Sequence, residues 1–171
     1  MKIEPKLERT LRYEFNLEPW EKYYSDPARE RLWREHDQLK PEREGNLLVA
    51  PDLSFFESME KTGRLKIIVA RESEGEALMV GYCLVFLSRH SHYSALFAYE
   101  NTSWVDSRHR NEGIGKGLVE TACTVAKRFG AQRVFFSDKG FSWIGAMLGR
   151  QGFSPDVTVY AKWLNAEPEE N

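Results

Sequence analysis

The hydrophobic rhythm of the chain changes several times, and each change marks an element. Residues 1–46 are polar and helix-prone. Within them, Pro27 to Gln38 predicts a helix. Asp26 stands at its N-cap and Pro27 in its first turn, while Leu32, Trp33 and His36 form a stripe. A charged loop, Lys40 to Asn46, follows. Asp52 predicts the cap of a second helix, which carries Phe55, Phe56 and Met59 and ends at Gly63. Three β-rich runs come next: Leu65 to Ala70, Leu78 to Leu87, and Tyr93 to Val105, with a turn over Glu72 to Glu76. Leu118, Ala122, Val125 and Phe129 then share one helical face, so Gly115 to Phe129 predicts a helix with Gly130 just past its end. A strand at Arg133 to Ser137, a helix at Ser142 to Arg150 and a strand at Val157 to Trp163 complete the order. The acidic tail from Asn165 to Asn171 predicts disorder. Helices, a three-stranded meander, then helix, strand, helix and strand predict an α/β fold with a mixed sheet.

The junction between the third run and the helix after it carries the chemistry. It reads Trp-Val-Asp-Ser-Arg-His-Arg-Asn-Glu-Gly-Ile-Gly-Lys-Gly over residues 104–117: a strand end, a short basic glycine-rich turn and a helix start. The first N–H groups of a helix have no intrahelical partner, and the helix dipole adds partial positive charge there. Gly113 and Gly115 let a ligand approach the backbone, and Arg108, Arg110 and Lys116 add full charges. Such a turn can hold a phosphate.

Arg110-x-x-Gly113-x-Gly115, with the strand before it, the helix after it and Gly152-Phe153 downstream, resembles motif A of the GNAT acyltransferase superfamily. The resemblance implies one domain over residues 1–164, with a mixed, mostly antiparallel twisted sheet flanked by helices. It implies that the central strands, Ala95 to Val105 and Arg133 to Ser137, splay to admit a pantetheine arm. It also implies acetyl-CoA as acyl donor. Arg110, Asn111, Glu112, Gly113, Ile114, Gly115 and Lys116 would hold its pyrophosphate, and backbone near Trp104 and Val105 would polarise its thioester. The activity implied is acetyl transfer, by direct attack in a ternary complex, to a primary amine of a protein, a small metabolite or a modified nucleobase. Pro51-Asp52, Gly63-Arg64-Leu65, Ala70-Arg71, Gly81-Tyr82, His92-Tyr93, Glu100-Asn101 and Gly152-Phe153 together resemble GNAT proteins encoded by bacteriophages.

Such a transfer needs attack geometry, a proton acceptor for the amine and a proton for the leaving thiolate. Glu100, a lone carboxylate on the motif strand, is the candidate base. Side chains alternate along a strand, so Glu100 shares a face with Trp104, and Tyr99 and Asn101 share one with Val105; a bulge, which the resemblance implies near the end of this strand, would reverse this. Tyr99 and Asn101 are therefore kept as alternatives. Where the resemblance implies a tyrosine acid, the chain has Leu148, and Phe141 replaces an asparagine on the same helix. Tyr82, His92, Tyr93 or water could supply the proton instead. Lys139 and Arg150 could reach a phosphate, and Phe141 and Trp143 could line the pantetheine.

Composition narrows the partners. The chain has 171 residues, 24 Lys and Arg against 26 Asp and Glu, and a net charge of −2, which argues against a broad nucleic-acid surface. The apolar run Ala77 to Leu87 is interrupted by Gly81 and too short to span a bilayer, and the charged N-terminus has no signal-peptide core. A cytoplasmic protein, monomer or homodimer, is expected, with Cys83 and Cys123 as reduced thiols. His90, His92 and His109 read as surface histidines, with no metal expected. A dinucleotide-binding domain is disfavoured, because the glycine-rich turn follows a meander rather than the first strand. The competing reading is a catalytically weak acyl-CoA-binding module that acts through protein interaction, favoured by Leu148.

Overall fold

Tyr13, Phe15 and Leu17 alternate with Glu14 and Asn16, and a strand satisfies that period. In the structure, a computed structural model that describes residues 9–10, 12–38, 51–138 and 142–159, they form β2 (Tyr13–Glu18), beside the two-residue β1 (Arg9–Thr10). This corrects the helix-prone reading of the N-terminal segment. Tyr13 and Phe15 are buried at 2% exposure, so an edge of the core begins where the sequence looks most polar.

The chain divides into two compact units, Met1–Ser137 and Asp138–Asn171. The first holds a six-stranded sheet in sequence order. β3 (Leu65–Glu72), β4 (Met79–Arg89) and β5 (Leu96–Val105) extend the antiparallel meander, and β6 (Arg133–Phe135) joins β5 in parallel. Parallel neighbours require a crossover, which α4 (Ile114–Arg128) supplies. The mixed, mostly antiparallel sheet with flanking helices is the architecture that the resemblance implied.

One face of the sheet is covered by α4. Ile114, Leu118, Ala122 and Val125 pack on Phe15, Ile68, Cys83, Val85 and Ala98. Gly81 permits the approach: a Cβ there would lie 3.0 Å from the Trp104 carbonyl oxygen and 3.3 Å from Ile114 and Leu118. On the other face lie α1 (Trp20–Tyr24), α2 (Pro27–Asp37) and α3 (Leu53–Lys61), with Trp20, Tyr23, Leu32 and Phe56 against Ile67, Val69, Tyr82 and Leu84. Asp26 caps α2 by accepting from the Ala28 N–H at 2.8 Å, and Asp52 caps α3 through the Phe55 N–H at 3.1 Å. Arg71 forks onto the buried Glu18 carboxylate at 2.8 Å and reaches Asp26 at 2.7 Å, fixing the start of α2 to the sheet.

Two irregularities in β5 shape the site. Leu84 pairs with Thr102 and Val85 with Glu100, so Asn101 is the extra residue of a bulge. β5 also outruns β6, since pairing is confined to Phe97–Tyr99 against Arg133–Phe135. Among the described residues, the outer edge of β5 beyond Tyr99 has no strand beside it.

In the second unit, α5 (Ser142–Arg150) ends in a turn with Gly152 at φ 84°, and the N–H groups of Gln151 and Phe153 donate to the Leu148 carbonyl. Of the strand expected at Val157 to Trp163, residues 157–159 carry none, and the rest lies outside the described residues, as does the acidic tail.

Candidate active site

The turn is built around a carboxylate. Asp106 has no solvent exposure, and its N–H donates to the Val80 carbonyl at 2.9 Å. Its side chain caps the 3-10 turn Ser107–His109 by accepting from the Arg108 N–H at 3.0 Å. It also accepts from the Arg108 guanidinium at 2.8 Å and from Arg31 of α2 at 2.8 Å. Burial works to raise the Asp106 carboxyl, but the hydrogen bonds from Arg108 and Arg31 outweigh it and hold the group well below the usual carboxylate range. Glu35 of α2 adds a contact at 3.4 Å to the Ser107 N–H. Asp106 was not among the residues chosen from the sequence. Its local signal, an aspartate two residues before an arginine at a strand end, was present; its partner Arg31 was not legible.

The next residues form the cradle. Asn111 has φ 65° and Gly113 φ 84°, both left-handed, and such residues aim successive N–H groups to one side. The N–H groups of Ile114, Gly115 and Lys116, in the first turn of α4, have no partner within the helix; the first helical bond runs from the Gly117 N–H to the Gly113 carbonyl at 3.0 Å. A Cβ built on Gly113 meets nothing within 4 Å, so the space in front of it is open. Open N–H groups, a helix N-terminus and the exposed Arg110 and Lys116 fit a pyrophosphate. Ile114 contributes only its N–H, because its side chain is buried at 1% exposure in the core. Glu112 is turned away: its carboxylate accepts from the Tyr13 hydroxyl and from Arg12 at 2.9 Å. Tyr13 also contacts the His109 ring nitrogen at 3.1 Å. Burial, then the bond to Glu112, pushes the Tyr13 phenol up to about 12.

The bulge reverses the strand parity beyond it. Glu100 follows Ala98 on the α4 face, and across the bulge Ser103 opposite Cys83 and Val105 opposite Gly81 share that face. The half-buried Glu100 carboxylate accepts from the Ser103 hydroxyl at 2.8 Å. Tyr99, Thr102 and Trp104 occupy the other face, opposite Phe86, Leu84 and Tyr82. Tyr99 stacks on Phe135 at 5.0 Å, and Asn101 lies exposed in the bulge.

Trp104 is the hub of that second face. The Arg110 guanidinium lies over its ring at 4.7 Å, and the His36 ring stacks on it at 4.7 Å with 16° between planes. Among the described residues, its buried indole Nε1 has no hydrogen-bond partner. His36 Nδ1 is 3.1 Å from the Tyr82 hydroxyl and 3.4 Å from that of Thr102. His36 was read from the sequence only as part of a helical stripe. His92 and Tyr93 lie in the β4–β5 hairpin, at the other end of β5 from the turn. Leu148 is buried on α5, and Arg150 is exposed at its end. Lys139, Phe141 and the Trp143 side chain lie outside the described residues. Among the described residues, no three His, Cys, Asp or Glu side chains gather as metal ligands do, and no helix is long and apolar enough to cross a membrane.

Residues 11–141 match the profile of the Acetyltransferase (GNAT) family. No curated protein matches the sequence. Among solved structures, an aminoglycoside acetyltransferase from an uncultured soil metagenomic sample is similar at 17% identity, with a TM-score of 0.66, over 91% of this chain and 97% of that one. Glucosamine-6-phosphate N-acetyltransferase from Arabidopsis thaliana is similar at 17% identity and a TM-score of 0.67, over 90% and 99%. Ribosomal-protein-alanine N-acetyltransferase from Brucella melitensis biovar Abortus is similar at 15% identity and a TM-score of 0.63, over 90% and 99%. At these identities the likeness is one of fold.

Proposed function

The chain belongs to the Acetyltransferase (GNAT) family, and we propose that it moves an acetyl group from acetyl-CoA to a primary amine by direct attack in a ternary complex. The observation that carries this reading is the set of open N–H groups in the first turn of α4, Ile114 to Lys116, beside the cationic Arg110 and Lys116. Acetyl-CoA bound there supplies an activated thioester. Arg110, Asn111, Glu112, Gly113, Ile114, Gly115 and Lys116 hold the pyrophosphate, chiefly through backbone N–H groups and the two cationic side chains. The edge of β5 beyond Tyr99, with no strand beside it among the described residues, gives the pantetheine arm a strand to lie along, and N–H groups near Trp104 and Val105 polarise the thioester carbonyl. Glu100 takes up the amine proton, directly or through water, with Tyr99 and Asn101 as the neighbouring alternatives. We read residues 1–164 as one catalytic domain of the phage-encoded type, acting in the cytoplasm as a monomer or homodimer.

A second reading, an acyl-CoA-binding module with weak catalysis, is favoured by one observation: a buried leucine, Leu148, stands where the family resemblance implies a tyrosine acid. Calorimetry and turnover separate the two. The wild type should bind acetyl-CoA, and Gly113→Asp and Gly115→Asp should abolish binding, because each sets a carboxylate against the pyrophosphate. Glu100→Gln should keep the affinity and lower turnover by about 10²-fold. The acceptors to assay are an aminoglycoside, glucosamine 6-phosphate and a peptide with N-terminal alanine, the classes named for the structural neighbours. No wild-type binding at millimolar acetyl-CoA would sink the cofactor reading. Binding without acetylation of any amine would favour the module.

A further inference from the structure

We propose that the His36 imidazole gives the departing coenzyme A thiolate its proton. The inference rests on the acetyltransferase reading above and fills the role that Leu148 leaves open.

The other donors are poorly placed. Tyr82 is 1% exposed, and its hydroxyl is engaged with His36. Burial keeps its phenol protonated far above neutral pH. His92 and Tyr93 lie in the β4–β5 hairpin. They precede Leu96, where β5 begins, and from Leu96 to Ser103 the strand alone covers about 23 Å, at roughly 3.3 Å per residue.

His36 covers the part of β5 along which the acetyltransferase reading lays the pantetheine arm. Its ring is stacked on Trp104 and within hydrogen-bonding range of Thr102, so it covers the stretch of β5 whose outer edge has no strand beside it among the described residues. Two oxygens, the hydroxyls of Tyr82 and Thr102, can accept from Nδ1–H and steady the charged ring. The titratable and charged groups of this cluster are Tyr82 of β4, the Arg110 guanidinium over Trp104, and, acting on Tyr82, Tyr23 of α1 with Asp37 and Arg29 of the helix that carries His36.

The step balances. The amine lone pair attacks the thioester carbon, the N–C bond forms, the C–S bond breaks, and the electron pair leaves on sulfur. The imidazolium proton passes to sulfur, and the neutral imidazole regains a proton from the one that the amine releases. Ordinary values near 6.5 for histidine and about 8.5 for a thiol make the transfer downhill.

Two variants and one spectrum test it. His36→Phe keeps a ring against Trp104 and removes the proton; His36→Gln keeps a polar side chain. Both should bind acetyl-CoA in calorimetry as the wild type does. Both should lower coenzyme A release on the acceptor panel by about 10²-fold and lose the alkaline limb of the wild-type pH profile. In the wild type, the His36 ring ¹⁵N signals, assigned by their loss in His36→Phe, should move when acetyl-CoA binds, whether or not any amine is acetylated. The inference is overturned if those signals stay fixed with acetyl-CoA bound, if His36→Phe turns over at the full rate, or if the rate falls with the pH profile intact. Failure of the wild type to bind acetyl-CoA removes the acetyltransferase reading itself, and this inference with it.

Discussion

A carboxylate without solvent exposure is costly unless its charge is met, and Asp106 is met by two arginines and a backbone N–H. Stranding a buried charge costs about 3–5 kcal/mol, but the partners here, Arg31 at 39% exposure and Arg108 at 65%, can return to water. The smaller figure for lost charge-assisted hydrogen bonds applies. Asp106→Asn should therefore destabilise the protein by about 1–3 kcal/mol, read from urea unfolding. It should also weaken acetyl-CoA binding, since the cradle begins four residues later. An unchanged urea midpoint would show that the ion pairs contribute nothing. Glu100 shows what the sequence withholds at this scale. Its presence on the motif strand was plain, and the family resemblance implied a bulge near the strand's end, but the face it takes depends on which residue is extra, here Asn101, and composition does not mark that position.

At the scale of elements, α4 crosses β2 at Gly117. A Cβ there would lie 2.2 Å from the ring of the buried Phe15. Helix propensity alone favours alanine by about 1 kcal/mol, whereas overpacking costs about 1–3 kcal/mol. Gly117→Ala should lower the urea midpoint with the m-value unchanged. A stabilised variant would mean that the Phe15 ring moves aside freely. The helices were legible because their signals are local: Asp26 with Pro27, Asp52, and Gly130 at φ 87° each act within a turn of the residues they cap or stop. The meander and the crossover helix followed from periodicity. β2 was hidden, since three apolar positions among charges are too few to stand against a helix-prone neighbourhood, and only pairing with β3 makes the strand. The short partner β6 and the open edge beside it are likewise tertiary facts. The turn was readable because its glycines and charges lie together; its tie to Tyr13 was not.

For the whole molecule, Glu18 and Asp106 set the response to acid. Burial raises the Glu18 carboxyl, but bonds from Arg71 and Lys22 bring it below its ordinary value, as Arg108 and Arg31 do for Asp106. A carboxyl lowered in the native state leaves the unfolded chain binding more protons in acid. The stability it contributes is present above the unfolded value near 4 and is lost as pH falls through the native value. The urea midpoint should hold from about pH 7 to 5 and drop steeply below about 4, less steeply in Asp106→Asn. A midpoint that stays level to about pH 2 would contradict both ion-pair assignments. The bond from Tyr13 to Glu112 reaches further, into the order of events in folding. It joins residues 99 apart, and closing so long a loop costs chain entropy that only later contacts offset. The cradle thus takes its final form after β2 has entered the sheet and α4 has docked on it; it is a product of folding, not a seed. A ligand held there acts on the native side of the barrier. It lengthens the lifetime of the folded molecule and leaves the pace of refolding as it was.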